Sequence, residues 1–150
     1  MGKKLNGSKL RVGIVVSRFH EDITSRLLEG AVAACAQSGV KGKNVTVVYV
    51  PGSFEIPLGL ERLAKTGKFN ALVALGCIIK GETDHNVYIS YAVSDGIMEV
   101  MLDYRIPVGF GVLTPNSLKQ AHTRSRGADN KGKEAASAAL EMALQKVSRK

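Results

Sequence analysis

The sequence predicts an α/β protein: a three-layer α/β/α sandwich with a four-stranded parallel sheet. Three observations predict it. Four short runs are apolar at nearly every position, as strands covered on both faces must be. Longer stretches with helical spacing lie between these runs, giving the order β-α-β-α-β-α-β-α-α. The chain has 150 residues, 45% of them apolar and 23% charged, which suits one globular domain spanning 1–150. A chain of this length buries roughly 70% of its unfolded surface.

Each element has its own justification. Residues 10–16 are apolar and β-branched, and read as the first strand. The polar loop Ser17-Arg18-Phe19-His20 follows, and Asp22 is the expected cap of the first helix. Ile23, Leu27, Ala31 and Cys35 recur every four residues as its buried stripe, and Gly39 stops it. Residues 45–50 form the second strand, turned by Pro51-Gly52. Ser53 is the expected cap of a second helix, with Pro57 in its first turn and Gly67 at its end. Residues 71–79 are the third strand and 84–104 the third helix. Residues 106–113 are the fourth strand, Thr114-Pro115 opens a short helix, and 133–147 form a last amphipathic one.

Charge and cysteine content narrow the function classes. The formal charge is +8, but the basic residues are scattered and no aromatic-interleaved stripe accompanies them. A solvated basic surface, rather than a nucleic-acid interface, is the reading. Cys35 and Cys77 lack metal or redox spacing and lie among apolar residues, as buried thiols in a reducing compartment would. The first residues lack the apolar core of a signal peptide, and no run reaches membrane-spanning length. A cytoplasmic location is the expectation.

Ligands of parallel sheets bind outside the carboxyl ends of the strands. Those ends carry Phe19, Phe54, Glu55 and His85. Gly76-Cys77-Ile78-Ile79-Lys80-Gly81 approaches phosphate-loop spacing, but Glu82 stands where such a loop needs lysine. Gly109-Phe110-Gly111 lacks the third glycine of a dinucleotide fingerprint. The sharpest candidate is His85, in the first turn of a helix whose free N–H groups favour anions and whose imidazole can move protons near neutral pH. The bland alternative is a helix-cap or surface histidine. His20 and His122 carry no special signal, and no two histidines have zinc spacing. Phe19 is either a packing staple or a stacking platform for a flat ring. Arg124, Arg126 and Lys131 are solvated if read singly, or close over an anion if read together.

Taken together, Ser17-Arg18-Phe19, Pro51-Gly52-Ser53-Phe54-Glu55-Ile56-Pro57, Gly76 through His85, Phe110-Gly111-Val112-Leu113-Thr114 and Asn130-Lys131-Gly132 resemble the 6,7-dimethyl-8-ribityllumazine synthase family. The likeness runs from about Lys9 to the end, with the elements in the same order. It implies a flavodoxin-like strand order. It also implies a riboflavin-biosynthesis transferase that condenses 5-amino-6-(D-ribitylamino)uracil with 3,4-dihydroxy-2-butanone 4-phosphate, without cofactor or metal.

By the same resemblance His85 is the proton carrier. Glu82 and Thr83 seat the phosphate with Arg124, and Lys131 is a weaker partner of that anion. Phe19 stacks on the pyrimidine, while Ser53, Phe54 and Glu55 hold the ribityl chain and ring edge. Cys77, Ile78 and Ile79 line the ring, and Phe110 reaches the site from a neighbouring subunit. A homo-oligomer of pentamers is implied, with decamers or 60-subunit shells open, and an association with riboflavin synthase is possible for such assemblies. Residues 1–9 are an extended arm laid on a neighbour's sheet edge. Departures from the family pattern are Asn86 and Val87 after His85, Asp129 near the anion, and a shortened 124–130 segment that leaves Arg126 as a rival to Arg124. A catalytically silent lumazine or flavin carrier is the alternative. A flavodoxin-like electron carrier ranks below both because this chain is basic.

Overall fold

The computed structural model describes residues 4–146. The elements are β1 (Val12–Ser17), α1 (Glu21–Gln37), β2 (Val45–Val50), α2 (Ile56–Lys65), β3 (Ala71–Cys77), α3 (His85–Asp103), β4 (Val108–Leu113), α4 (Leu118–Arg124) and α5 (Lys131–Leu144). The four strands pair in parallel in the order β2-β1-β3-β4, the flavodoxin-like order. Side chains alternate across the sheet. Val12, Ile14 and Val16 therefore meet α1 and α5 on one face. Val15 meets Ile56 and Leu60 of α2 and Val93 and Ile97 of α3 on the other. These are the three layers.

Helix–helix and helix–sheet contact is closest around α5. A Cβ at Gly132 would fall on the Leu27 carbonyl of α1, and one at Gly109 of β4 on the Ala135 carbonyl of α5. Asn130 fastens the same region. Its Oδ1 accepts from the Gly132 and Lys133 amides, capping α5, and its Nδ2 donates to the carbonyls of Arg26 and Ser125. Among the described residues no helix is long and apolar enough to cross a membrane.

Several element ends differ from expectation. Asp22 does not cap α1: the chain enters through His20 in the left-handed region, φ 59°, so Asp22 is a first-turn charge. Ser53 does not cap α2 but begins a 3-10 turn, Ser53–Glu55, in which the Glu55 carboxylate accepts from the Gly52 amide at 2.9 Å. β1 starts after a turn that ties Leu10 back to Gly7, and β3 ends at Cys77. β4 starts after Pro107, which has no amide to donate. Ser117, not Thr114, caps α4. The predicted end of the last helix, Val147, lies outside the described residues. Gly39 and Gly67 stop their helices as expected, each at positive φ. Leu5 packs on this chain's own core and the Gly7 amide donates to Ser38. The first three residues of the expected arm lie outside the described ones.

Candidate active site

The strand order reverses between β1 and β3: β1 is followed by a strand on one side of it and β3 by a strand on the other. The loops leaving these two strands diverge and open a crevice at the switch point. A cavity of about 340 Å³ occupies it. Phe19 and His20 come from the β1 loop, Gly52 to Phe54 from the 3-10 turn, and Cys77 to Ile79, Gly81, Thr83, His85, Asn86 and Ile89 from the end of β3 and the start of α3.

Local structure explains each placement. The Arg18 and Phe19 amides donate to the carbonyls of Val50 and Pro51, which ties the loop to the end of β2. The left-handed turn at His20 then swings the chain into α1 and leaves the Phe19 ring 65% exposed, edge-on to the His20 imidazole at 4.5 Å. Beyond β3, the Ile78 amide donates to Leu113 and the Lys80 amide to Pro115, so the chain keeps to the sheet end before α3 begins. His85 is the first residue of α3, and its amide faces Thr83 Oγ1 at 3.4 Å. Ile89, four residues later, shares its helix face. Burial pushes the Cys77 thiol up to about 12, with the Asp22 charge adding to the effect. Cys77 is therefore a neutral wall at physiological pH, not a nucleophile.

A second, larger groove of about 900 Å³ runs beside β4, between α4 and the start of α5. Phe110 lies on its floor, and Lys119, Arg124 and Lys131 bring positive charge to it. Glu134 answers part of that charge, with its carboxylate 2.6 Å from Lys131 Nζ. Arg126 does not line this groove. Its guanidinium and that of Arg26 both point at His122 Nδ1, at 3.3 and 2.9 Å. That nitrogen must carry the lone pair, which leaves the N–H on Nε2, 3.8 Å from Asp22. Of the two rival arginines, only Arg124 shares a cavity with Lys131.

The expected site residues thus divide. Phe19, Ser53, Phe54, Cys77, Ile78, Ile79, Thr83 and His85 share the switch-point pocket, and Phe110, Arg124 and Lys131 share the groove. Glu55 and Glu82 line neither, and Glu55 is engaged with Gly52. Thr83 and Arg124, expected around one phosphate, stand in different cavities of the chain. Asn86, singled out in the sequence only as a departure from the family pattern, also lines the pocket; Ile89 and Lys119 carried no expectation, and their signals were nearness to His85 on α3 and a place one helical turn before Thr123. Among the described residues no three His, Cys, Asp or Glu side chains gather to hold a metal ion. The protein thus combines a switch-point pocket lined by an imidazole, a separate cationic groove and a parallel sheet in flavodoxin-like order. Residues 9–146, which include every candidate named above, match the family model for 6,7-dimethyl-8-ribityllumazine synthase, and the chain belongs to that enzyme family.

Proposed function

We propose that this protein condenses 5-amino-6-(D-ribitylamino)uracil with 3,4-dihydroxy-2-butanone 4-phosphate to give 6,7-dimethyl-8-ribityllumazine, phosphate and water. The observation that carries this reading is the meeting of His85 with a largely apolar pocket of about 340 Å³ lined by Phe19, Phe54, Ile78 and Ile79. Such a pocket suits a flat pyrimidine. The amine must attack a ketone, phosphate must leave and the ring must close. Each step needs a proton moved, and an imidazole in the pocket lining is the group to move it. Holding two substrates in register supplies much of the remaining acceleration.

Neighbouring subunits complete the site in this reading. The groove with Phe110, Arg124 and Lys131 of one copy faces the switch-point pocket of the next, so that Arg124 reaches the phosphate beside Thr83 and Glu82. Support comes from α3, where Tyr88, Tyr91, Met98 and Leu102 form an exposed seam, spaced at three, seven and four residues and so on one helix face. Tyr88 is 73% and Leu102 67% exposed, an unusual row for a surface that meets only water. A homo-oligomer of pentamers would cover it.

The test is a mixing assay with purified protein and both substrates, following lumazine absorbance and released phosphate together. Stoichiometric appearance of both is expected. Tight lumazine binding without turnover would instead identify a silent carrier and overturn the synthase reading.

A further inference from the structure

Buried polar atoms without a partner are costly, and their positions carry information. Among the described residues four buried side-chain atoms lack a hydrogen-bond partner: Ser17 Oγ, Thr24 Oγ1, Ser53 Oγ and Asn86 Oδ1. Ser53 and Asn86 line the switch-point pocket. Ser17, the last residue of β1, lies behind it: Ser17 Oγ and Ser53 Oγ stand 3.4 and 2.6 Å from the one point where a Cβ on Gly76 would be. Ser17 is 0% and Ser53 7% exposed. Two hydroxyls so placed, with no protein acceptor, are within reach of a single bridging oxygen. Gly76, lacking a side chain, is what lets Ser53 approach β3 there.

We propose that Ser17 is a positioning residue of this pocket. It shares one O–H-bearing partner with Ser53 and so orients the Ser53 hydroxyl toward the bound ligand. The partner is either a hydroxyl of the ligand's polyol chain or a water held in the pocket wall. This proposal rests on the lumazine-synthase reading of the pocket. The nature of that partner fixes the effect on stability. If the partner arrives with the ligand, the Ser17 hydroxyl is unpartnered in the free protein and Ser17→Ala leaves the unfolding temperature unchanged or raises it; if the partner is a resident water, Ser17→Ala lowers it.

The experiment titrates wild type, Ser17→Ala, Ser53→Ala and the double variant with 6,7-dimethyl-8-ribityllumazine, and then with 6,7-dimethyllumazine, which lacks the polyol chain. Wild type is read first: no binding of the ribityl compound sinks the reading of the pocket itself, and this inference with it. Given wild-type binding, Ser17→Ala should raise the Kd about fivefold, with kcat at saturation changed less than about twofold, and should add nothing once Ser53 is alanine. Loss confined to the ribityl compound assigns the partner to the ligand; equal loss for both assigns it to water. Unchanged affinity in Ser17→Ala, losses that multiply in the double variant, or a lowered unfolding temperature together with loss confined to the ribityl compound would each overturn the proposal.

Discussion

The pocket between β1 and β3 is walled by Phe54, Ile78, Ile79 and Ile89, whereas the groove beside β4 gathers Lys119, Arg124 and Lys131. The first is the smaller and largely apolar, with an exposed His85 in its lining; the second is larger and cationic. An apolar pocket desolvates a neutral ring and gives a proton carrier a fixed partner, but offers little to a phosphate. A cationic groove attracts a phosphate from solution but holds no flat ring. Neither half would suffice alone for the proposed reaction, which joins a pyrimidine to a butanone phosphate. Under the proposed function, the difference assigns chemistry and anion capture to different surfaces of the same subunit.

The sharpest way to break that division is His85→Ala. Turnover is expected to fall about a hundredfold or more, with the oligomer unchanged on a sizing column. Unaltered turnover would remove the proton carrier from the pocket. A mixture sharpens the comparison further. Subunits carrying His85→Ala and subunits carrying Arg124→Glu, each inactive alone, should regain about a quarter of wild-type activity when refolded together in equal amounts, because random neighbours sometimes unite both intact halves. If one subunit supplied both groups, the mixture would stay inactive.

Asn130→Ala addresses how the groove is held. Losing the α5 cap and two buried carbonyl partners should cost about 2 kcal/mol in denaturant unfolding, with Lys131 mispositioned as a result. Arg124→Ala should raise the Michaelis constant for the butanone phosphate about tenfold, and Arg126→Ala should leave it within about twofold. The reverse ranking would show that the arginine on His122, not the one in the groove, meets the anion. The smallest effect concerns the thiols. Burial raises Cys35 to about 11 and Cys77 to about 12 from an ordinary 9.0. Their contribution to stability is whole below pH 9.0. It is lost as pH rises from there, since the unfolded chain then gives up protons that the folded one keeps. Replacing both with alanine should flatten that alkaline decline, as followed by thermal unfolding from pH 8 to about 10.5.

Much of this was legible in the sequence. The strands are continuous apolar runs, and Gly39 and Gly67 stop helices where their backbone freedom requires. Capping was less legible. Asp22 and Ser53 have the right chemistry for a cap, but His20 takes the left-handed turn and Glu55 reaches back to Gly52, and tertiary geometry decides between such rivals. Nor could spacing separate Arg124 from Arg126: two residues apart on the chain, one enters the groove and the other turns toward α1. The Asn130-Lys131-Gly132 run is contiguous in sequence, yet its members divide in the structure. Lys131 lines the groove, while Asn130 and Gly132 hold α5 against α1.

Those close backbone approaches bear on how the sequence can change over time. At Gly13 the obstruction to a larger residue is the Leu63 and Leu72 side chains. A second substitution there could shrink a neighbour and make room. At Gly132 and Gly109 the obstruction is the main chain, the carbonyls of Leu27 and Ala135. Every amino acid carries that carbonyl, so no partner mutation can step aside. Gly13 can drift in company, whereas Gly109 and Gly132 have no compensating path short of moving a helix.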